Sequence, residues 1–348
     1  MNPYITALLL FGLVLGTSIT ASSSHWLLAW MGLEINTLAI IPLMAQNHHP
    51  RAIEATTKYF LTQATAAATL LFASVTNAWL TGQWDITLMT HPVPTAMITL
   101  ALALKLGLAP LHTWLPEVLQ GLTLTTGLIL STWQKLAPFA LLLQMPNPSQ
   151  KLLIFLGLAS TLVGGWGGLN QTQLRKILAY SSIAHLGWML LIIQFAPSLT
   201  LLALLTYLIM TTATFLTLKN NKATNINTLA SSWAKAPLLT AATPLLLLSL
   251  GGLPPMTGFL PKWLILQELT KQQLPVTAVL AALTALLSLY FYLRLCYAMT
   301  LTMPPNNVAG TGLWRLPTFN PTLLLATSTP AAILLLPLSP AITAIMNL

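Results

Sequence analysis

The sequence predicts an all-α polytopic membrane protein, and composition is the first of three observations that lead to this prediction. The chain has 348 residues, of which 55% are hydrophobic and only 5% are charged, and its mean hydropathy is +0.77. Soluble domains carry about 25% charged residues. This chain has too few charges to cover a surface that faces water, so its composition excludes a soluble enzyme of any class.

The second observation is the spacing of the apolar stretches. A helix needs about 20 apolar residues to cross the ~30 Å hydrocarbon layer. Stretches bounded by proline, asparagine or charge predict about eleven transmembrane helices, at residues 3–20, 25–44, 56–80, 94–120, 123–143, 151–170, 174–195, 198–217, 238–267, 275–299 and 322–346. No connection is long enough for a separate soluble domain, so we expect residues 1–348 to form a single transmembrane domain.

The third observation is that two of these helices are interrupted in the same way. The fourth reads LALKLGLAPLHTWLP and the ninth reads LLSLGGLPPMTGFLPKW. Proline removes a backbone donor and clashes with the carbonyl four residues before it, so both helices should be discontinuous. Because they lie five helices apart, we expect inverted five-helix repeats over 1–143 and 151–299, with an extra C-terminal helix over 322–346. Such repeats are typical of transporters, where the breaks flank the ion path.

The basic residues predict the orientation of the chain. The net charge is +9, which in a soluble protein would suggest a nucleic-acid partner. Here the basic residues are scattered, so we expect no nucleic acid and a role in topology. Connections on the N-terminal side carry most of them, and only two lie on the opposite side: the first group is Arg51, Lys58, Arg175, Lys176, Lys219, Lys222, Lys235 and Arg315, and the second is Lys151 and Lys271. The N-terminus should therefore lie on the positive-inside face and the C-terminus on the other.

Cofactor sites are not expected in this chain. The single cysteine, Cys296, cannot form an intrachain disulfide or supply the four ligands of an iron–sulfur cluster. The sequence has no pair of mid-helix histidines to hold a haem and no HExxH metal motif.

Four charged residues lie deep inside predicted spans: Glu34, Lys105, Lys135 and Lys262. A charge at the bilayer centre costs at least about 2.5–3.5 kcal/mol on insertion scales. The alternative to a functional role is snorkelling of the long lysine side chains to the interface. Glutamate is too short to snorkel well, so Glu34 favours a buried role most strongly.

These residue types are suited to moving protons. Burial of a lysine disfavours its charged form, and a nearby carboxylate favours it, so a Glu–Lys pair whose separation changes acts as a proton switch. Lys105, Lys135 and Lys262 in series could pass a proton across the protein. His185, also mid-helix, is either a further relay or a hydrogen-bonded core residue. Lys58 is spaced i, i+4 from Glu54, so a simple surface pair is the alternative to a functional role there.

Several segments then carry a resemblance to a known family. KLGLAPLHTWLPEVLQG, STWQKLAPF, RKILAYSSIAHLGWML and GGLPPMTGFLPKWLIL resemble the antiporter-like membrane subunits of respiratory complex I. HWLLAWMGLEINTLAIIPLM and EATTKYFLTQA resemble more specifically the form found in animal mitochondria. The resemblance covers essentially the whole chain.

The resemblance implies a proton channel in the mitochondrial inner membrane. In that membrane the Lys and Arg imbalance predicts the N-terminus in the matrix and the C-terminus in the intermembrane space. It implies that Glu34 is the coupling glutamate and that Lys105 is the lysine of the central broken helix. It further implies that Lys135 is the lysine of the next helix and Lys262 the exit-side residue. His185 and Lys58 match family positions with less defined roles.

The resemblance also implies that NADH, flavin, iron–sulfur clusters and ubiquinone are bound by other subunits. The expected partners are then other complex I subunits, especially neighbouring antiporter-like and small membrane subunits, and membrane lipids. A free-standing secondary cation/proton antiporter would have similar helices and remains the alternative, ahead of a purely structural scaffold. Co-migration with a large NADH-oxidising assembly in mild detergent distinguishes the first two.

Overall fold

The computed structural model describes residues 2–46, 49–146, 149–234, 236–302 and 322–345. Two of the basic residues used for the topology prediction, Lys235 and Arg315, lie outside these ranges. Contacts between Cα atoms divide the chain into two compact units, Met1–Ser160 and Thr161–Leu348. The repeat boundaries expected from the sequence stay a prediction.

The first unit is built from six helices and the start of a seventh: α1 (Pro3–Ser22), α2 (Trp26–Met44), α3 (Pro50–Thr81), α4 (Pro92–Leu106), α5 (Trp114–Gly121), α6 (Leu124–Gln144) and α7 (Gln150–Gly168). Helix α2 packs against α1, α3 and α6, and α3 packs against α4 and α5. Histidine side chains cap the N-termini of α2 and α3. Nδ1 of His25 accepts a hydrogen bond from the backbone N–H of Leu27, and Nδ1 of His49 accepts one from that of Arg51. Such side chains satisfy donors that a helix start leaves free.

The second unit contains the end of α7 and eight further helices: α8 (Leu174–Ile192), α9 (Pro197–Asn220), α10 (Ile226–Ala230), α11 (Pro237–Gly251), α12 (Phe259–Lys271), α13 (Pro275–Leu301), α14 (Leu323–Leu334) and α15 (Ser339–Ile345). Helix α9 packs against α8, α11, α12 and α14, and α13 packs against α8, α11 and α12. Short 3-10 turns follow α10 and α14.

Both predicted helix breaks are present, and the helix before each ends in the same way. Helices α4 and α11 each have 15 residues and end at a glycine in the left-handed region, Gly107 and Gly252, each with φ +78°. The amide of the residue after each glycine, Leu108 or Leu253, donates to the carbonyl of Ala103 or Leu248. This pattern satisfies carbonyls that a helix end otherwise leaves free, and glycine adopts it at no steric cost.

A small backbone motif also recurs in the two units. In the first unit, Trp26 N–H donates to the Trp84 carbonyl and Ile86 N–H donates to that of Ser24. In the second unit, Leu174 N–H donates to the Thr224 carbonyl and Ile226 N–H to that of Thr172, in the same arrangement. Each bridge ties the start of the second helix of its unit to the connection that follows the third.

The count of eleven spans stays a prediction. Among the described helices, six are long and apolar enough to cross a membrane: α1, α2, α3, α7, α9 and α13. Helices α4 and α11 are apolar but shorter, because each is one half of a broken helix. Helices α6 and α8 have 21 and 19 residues, but they carry Lys135 and the Arg175–Lys176 pair.

One predicted continuous helix is bent in the structure. The predicted C-terminal helix over 322–346 is bent by 68° after Leu334, and a 3-10 turn containing Pro337 follows. Proline cannot continue the hydrogen-bond ladder of the preceding turn. The connection between the eighth and ninth predicted spans is partly helical, because α9 extends to Asn220 and Ile226–Ala230 forms α10.

Helices α1 and α2 pack backbone to backbone at one crossing. A Cβ added to Gly16 would lie 2.8 Å from the Gly32 carbonyl oxygen, and one added to Gly32 would lie 2.9 Å from that of Gly16. Small residues at a crossing allow this approach between membrane helices. The same crossing fixes Asn36, whose Oδ1 would lie 2.5 Å from a Cβ at Gly16.

We therefore expect Gly16→Ala to force α1 away from α2 and to destabilise the protein by about 1–3 kcal/mol, as overpacking typically does. The measurement is the thermal stability of the assembled membrane complex. Gly12→Ala, one turn earlier, is the matched control, because its Cβ would meet only the Ala39 Cβ at 3.4 Å. Equal losses in the two variants would contradict the close crossing.

Candidate functional site

Two of the predicted lysines line the same small cavity in the first unit. Lys105 is in the last turn of α4 and Lys135 is in the middle of α6. The two residues are 7% and 3% exposed, so neither side chain reaches the protein surface by snorkelling. Both line a cavity of about 20 Å³.

Polar side chains from α2, α3 and α6 line the rest of this cavity. They are Asn36, Thr37, Gln63 and Gln134. Within the described residues, both amide atoms of Asn36, Nε2 of Gln63 and Nζ of Lys105 are buried without a hydrogen-bond partner. A cavity needs about 10–15 Å³ and two to four polar neighbours to hold one water molecule. This cavity therefore has the volume and the polar groups for one bridging water.

Glu34 is near the lysine cavity but does not form an ion pair with Lys105. Among the residues that the structure covers, the ion pairs within 4 Å involve Lys58 and Lys271. The Thr37 hydroxyl instead donates to the Glu34 backbone carbonyl at 2.9 Å and to the Glu34 carboxylate at 3.1 Å. The carboxylate acts electrostatically on both Lys105 and Tyr59. Thr37 also lines the cavity, so the carboxylate is linked to the cavity wall through one side chain.

Lys58 forms an ion-pair cluster on the surface of the first unit. Its Nζ lies 2.8 Å from Glu54 Oε1, as the i, i+4 spacing suggested, and 2.7 Å from Glu117 Oε2. All three side chains are exposed, so solvent screens the attraction and the cluster adds little stability. Its geometry matters more, because the bond to Glu117 joins α3 to α5, the second half of the broken helix.

Trp114, the first residue of α5, connects this half-helix to the cavity. Its indole N–H donates to the Leu104 carbonyl at 3.0 Å, which satisfies one of the acceptors released at the end of α4. Its ring packs edge-on against Tyr59 at 5.7 Å between ring centroids. Both aromatic side chains line the cavity that contains the lysines.

Lys262 lies at the break of the second unit. It is in the first turn of α12, and its Nζ donates to the Gly251 carbonyl at 2.6 Å. The side chain folds over Gly252 so closely that a Cβ there would lie 2.9 Å from Nζ. Lys262 is therefore held at the C-terminal end of α11, where free carbonyls and the helix dipole stabilise a cation.

His185 is in the middle of α8 in the second unit, against Tyr207 of α9. The two rings are tilted, with 5.6 Å between their centroids. Tyr207 is completely buried, and His185 is only partly so.

The structure thus places Lys105 and Lys135 on one cavity and Glu34 within electrostatic reach of Lys105, while Lys58 lies outside this cavity. The sequence reasoning missed the amides Asn36 and Gln63. Their signal was available, because each is an amide within an apolar helical stretch. It also missed Glu117, whose contact with Lys58 spans 59 residues of sequence.

Comparison with known proteins identifies the family. The family described as NADH:quinone oxidoreductase/Mrp antiporter, TM, matches residues 23–288, and NADH dehydrogenase subunit 2 C-terminus matches residues 289–343. NADH-ubiquinone oxidoreductase chain 2 of Tetraodon nigroviridis is 73% identical over 348 residues, which is 100% of both chains. The chain belongs to the NADH-ubiquinone oxidoreductase chain 2 family. It is thus an antiporter-like membrane subunit of respiratory complex I.

Two solved structures of more distant proteins have chains with a similar fold. A chain of respiratory complex I from Thermus thermophilus superposes with a TM-score of 0.86 at 30% identity, covering 100% of this chain and 80% of that one. A chain of the Mrp complex from a Dietzia species superposes with a TM-score of 0.82 at 18% identity, covering 97% and 75%. The second likeness concerns the fold alone.

The Trp114 contact predicts a specific loss in this chain 2 protein. Trp114→Phe keeps an aromatic ring but removes one of two donors to the Leu104 carbonyl, the other being the Gly107 amide at 3.2 Å. The loss of one such hydrogen bond typically costs about 0.5–1.5 kcal/mol. We expect a lower thermal stability of the assembled complex and slower proton pumping, because the wall of the lysine cavity loosens. Trp79→Phe is the control, since Trp79 is 86% exposed. A stable Trp114→Phe complex with unchanged pumping would contradict this role.

Proposed function

We propose that this chain moves protons through the cavity shared by Lys105 and Lys135, and that this movement is its contribution to proton pumping by complex I. The shared cavity is the observation that carries the proposal, because two buried amines line one polar space with room for a water. Buried ionisable groups within membrane helices typically mark proton relays.

In this mechanism the two lysines exchange one proton. A protonated Lys105 donates to a water in the cavity, the water donates one of its protons to a neutral Lys135, and the water is regenerated. Asn36 and Gln63 hold the water by hydrogen bonds to its oxygen and hydrogens. The exchange leaves one amine charged at any time, which avoids the repulsion of two ammonium groups in a medium of low dielectric constant.

Glu34 controls when Lys105 is loaded. Its carboxylate acts on Lys105 through space, so a change in its charge or distance changes the energy of the ammonium form. The hydrogen bond from Thr37 fixes the carboxylate orientation at the cavity wall. Lys58 has a positioning role in the proposal, because its bond to Glu117 holds α5 and hence Trp114. His185 and Lys262 supply the corresponding proton groups of the second unit, with Lys262 on the exit side.

The energy for this transfer comes from electron transfer between NADH and ubiquinone, which other subunits carry out. The proposal assigns NADH, flavin, iron–sulfur clusters and ubiquinone to those subunits. In the described part of the chain, no group of three or more His, Cys, Asp or Glu side chains is arranged to hold a metal ion. The proposed partners are the neighbouring antiporter-like and small membrane subunits of complex I, and membrane lipids.

Lys105→Met tests the proposal directly. The measurement is proton translocation driven by NADH in the assembled complex. Because a positioned proton carrier typically contributes 10²-fold or more, we expect a loss of at least about 10-fold. Lys151→Met is the matched control, since Lys151 is exposed in the first turn of α7. Unchanged translocation in an assembled Lys105→Met complex would contradict the proposal.

The link between Glu34 and Lys105 is tested with a double variant. Glu34→Gln keeps the shape and removes the charge, so it should fail at the same loading step as Lys105→Met. The double variant should then be little worse than either single variant, as expected for residues that act as a unit. Fully additive losses would show that the two residues act independently.

We propose further that the chain lies in the mitochondrial inner membrane with its N-terminus in the matrix and its C-terminus in the intermembrane space. The imbalance of Lys and Arg between the two sides supports this orientation. Trypsin added to mitoplasts should then spare Lys219 and Lys222 until the inner membrane is disrupted. Cleavage at these residues before the inner membrane is disrupted would show that the chain has the opposite orientation.

A free-standing cation/proton antiporter remains the second candidate, and the Mrp likeness is the observation that favours it. The two candidates differ in assembly. Extraction in mild detergent should recover this chain in a large assembly that oxidises NADH. Recovery of the chain alone, with cation-dependent proton exchange in vesicles, would support the antiporter.

A further inference from the structure

An open groove of about 780 Å³ lies on the surface of the second unit, apart from the lysine cavity. Residues of α7, α8 and α13 and of the turn after α7 line it, among them Trp166, Tyr180, Leu286, Leu287 and Tyr290. Trp166 and Tyr290 are 69% and 60% exposed. Exposed apolar surface alone indicates only that a membrane protein meets lipid, so the shape and the charge of the groove decide what it binds.

Glycines on both sides of Trp166 give the groove its shape. A Cβ at Gly165 would lie 2.8 Å from Cβ of Leu287 on α13, and one at Gly167 would collide with the ring of Tyr180 on α8. Small residues allow such close approach between membrane helices. Trp166 projects from this tight contact and stays exposed, so its indole forms part of the groove wall.

One end of the groove is polar. Asn170 and Gln171 line it in the turn after α7. The carbonyl of Leu169 in the same turn accepts a hydrogen bond of 2.6 Å from Nη1 of Arg294 on α13, so the guanidinium lies at this end. Tyr290 is one turn before Arg294, and residues four apart share a helix face. The wall of the groove therefore leads from the guanidinium along α13.

The apolar part of the groove extends from this end into the membrane. The turn after α7 follows a 19-residue apolar span, so it lies at the edge of the hydrocarbon layer. Leu287 is seven residues before Arg294, which corresponds to about 10 Å along a helix. The groove thus has a polar end at the interface and an apolar length below it, which is the polarity of a phospholipid.

Two cations at the polar end lack an acidic partner. Among the described residues, the ion pairs within 4 Å are those of Lys58 and Lys271, so Arg294 is in none of them. The same is true of Lys176, which is in the first turn of α8, four residues before Tyr180 on one helix face. Arginine has five N–H donors and binds phosphate oxygens through two at once, and the bond to the turn uses one of the five.

We propose that this groove binds one anionic phospholipid, with its phosphate at Arg294 and Lys176 and an acyl chain along Trp166, Leu287 and Tyr290. Basic pockets between transmembrane helices are typical sites for anionic headgroups. A helix of a neighbouring subunit could fill the apolar part, but it would leave both cations without a counter-charge unless it brought a carboxylate to the same end. Every anionic phospholipid brings that charge, so the charge of the groove favours lipid.

This inference rests on the proposed function only in taking lipids as partners of the chain, and it does not involve the lysine cavity. The test uses the assembled complex in phosphatidylcholine vesicles that contain a trace of a lipid with a diazirine on its acyl chain. The probe lipid is either phosphatidylglycerol, which is anionic, or phosphatidylcholine, which has no net charge. After illumination, mass spectrometry measures the labelling of peptides that contain Trp166 or Tyr290. We expect phosphatidylglycerol to label these peptides about 5-fold more or better, the preference that one cation near an anionic headgroup typically gives.

Variants of Arg294 test the polar end. Arg294→Gln removes the charge and retains an amide donor for the Leu169 carbonyl, so labelling by phosphatidylglycerol should fall by about 5-fold. Arg294→Lys retains the charge and should keep most of the labelling. Lys219→Met is the matched control, because it removes an exposed cation at the end of α9, outside the groove. This control should be labelled like the unaltered complex.

Several results would overturn the proposal. They are equal labelling by the two lipids, an Arg294→Gln complex labelled like the unaltered one, and groove peptides crosslinked to another subunit in place of lipid. If Arg294→Gln does not assemble, competition in the unaltered complex decides, because only unlabelled phosphatidylglycerol should then suppress the labelling. The Lys105→Met complex should be labelled normally, so the lipid site and the proton proposal fail independently.

Discussion

The backbone groups released where a membrane helix breaks are the constraint on which the rest of this structure depends. Hydrocarbon offers no hydrogen bonds, so each free carbonyl must find a partner inside the protein. At the first break the partners are the Leu108 amide and the Trp114 indole. At the second break they are the Leu253 amide and the Lys262 ammonium. One partner at each break, Trp114 or Lys262, is therefore also part of a candidate proton site.

This constraint explains why the sequence predicted the breaks so well. A glycine that allows positive φ, followed within three residues by proline, leaves a helix few ways to continue. The helix ends at 106 and 251 follow from those local rules alone. The bend after Leu334 was missed, although Pro330 and Pro337 are both present. Proline at 330 is tolerated inside α14, so a proline by itself does not fix where a helix stops.

The candidate site was only partly predictable, and the reason is the range of the contacts. A charged residue in an apolar stretch is conspicuous, so Glu34, Lys105, Lys135 and Lys262 could be selected from the sequence. Which of them share a cavity depends on how α2, α4 and α6 pack, and local patterns do not report that. Tyrosine gives no such signal, because its ring fits an apolar helix as well as phenylalanine does. Tyr59 is therefore recognised as part of the cavity wall only from its packing against Trp114.

The two breaks place a lysine at equivalent points by different routes. In the first unit Lys105 belongs to α4 itself and lies in its last turn. In the second unit the lysine belongs to α12, the half-helix after the break, and reaches back to the end of α11. The common element is the C-terminal end of a 15-residue half-helix, where the dipole and free carbonyls stabilise a cation by about 0.3–1 kcal/mol. This stabilisation is far smaller than the cost of burying a charge, so it favours protonation at that point without fixing the proton there. A lysine in a close ion pair with a carboxylate would hold its proton permanently, whereas Lys262, which donates to one carbonyl, can release its proton when a nearby charge changes.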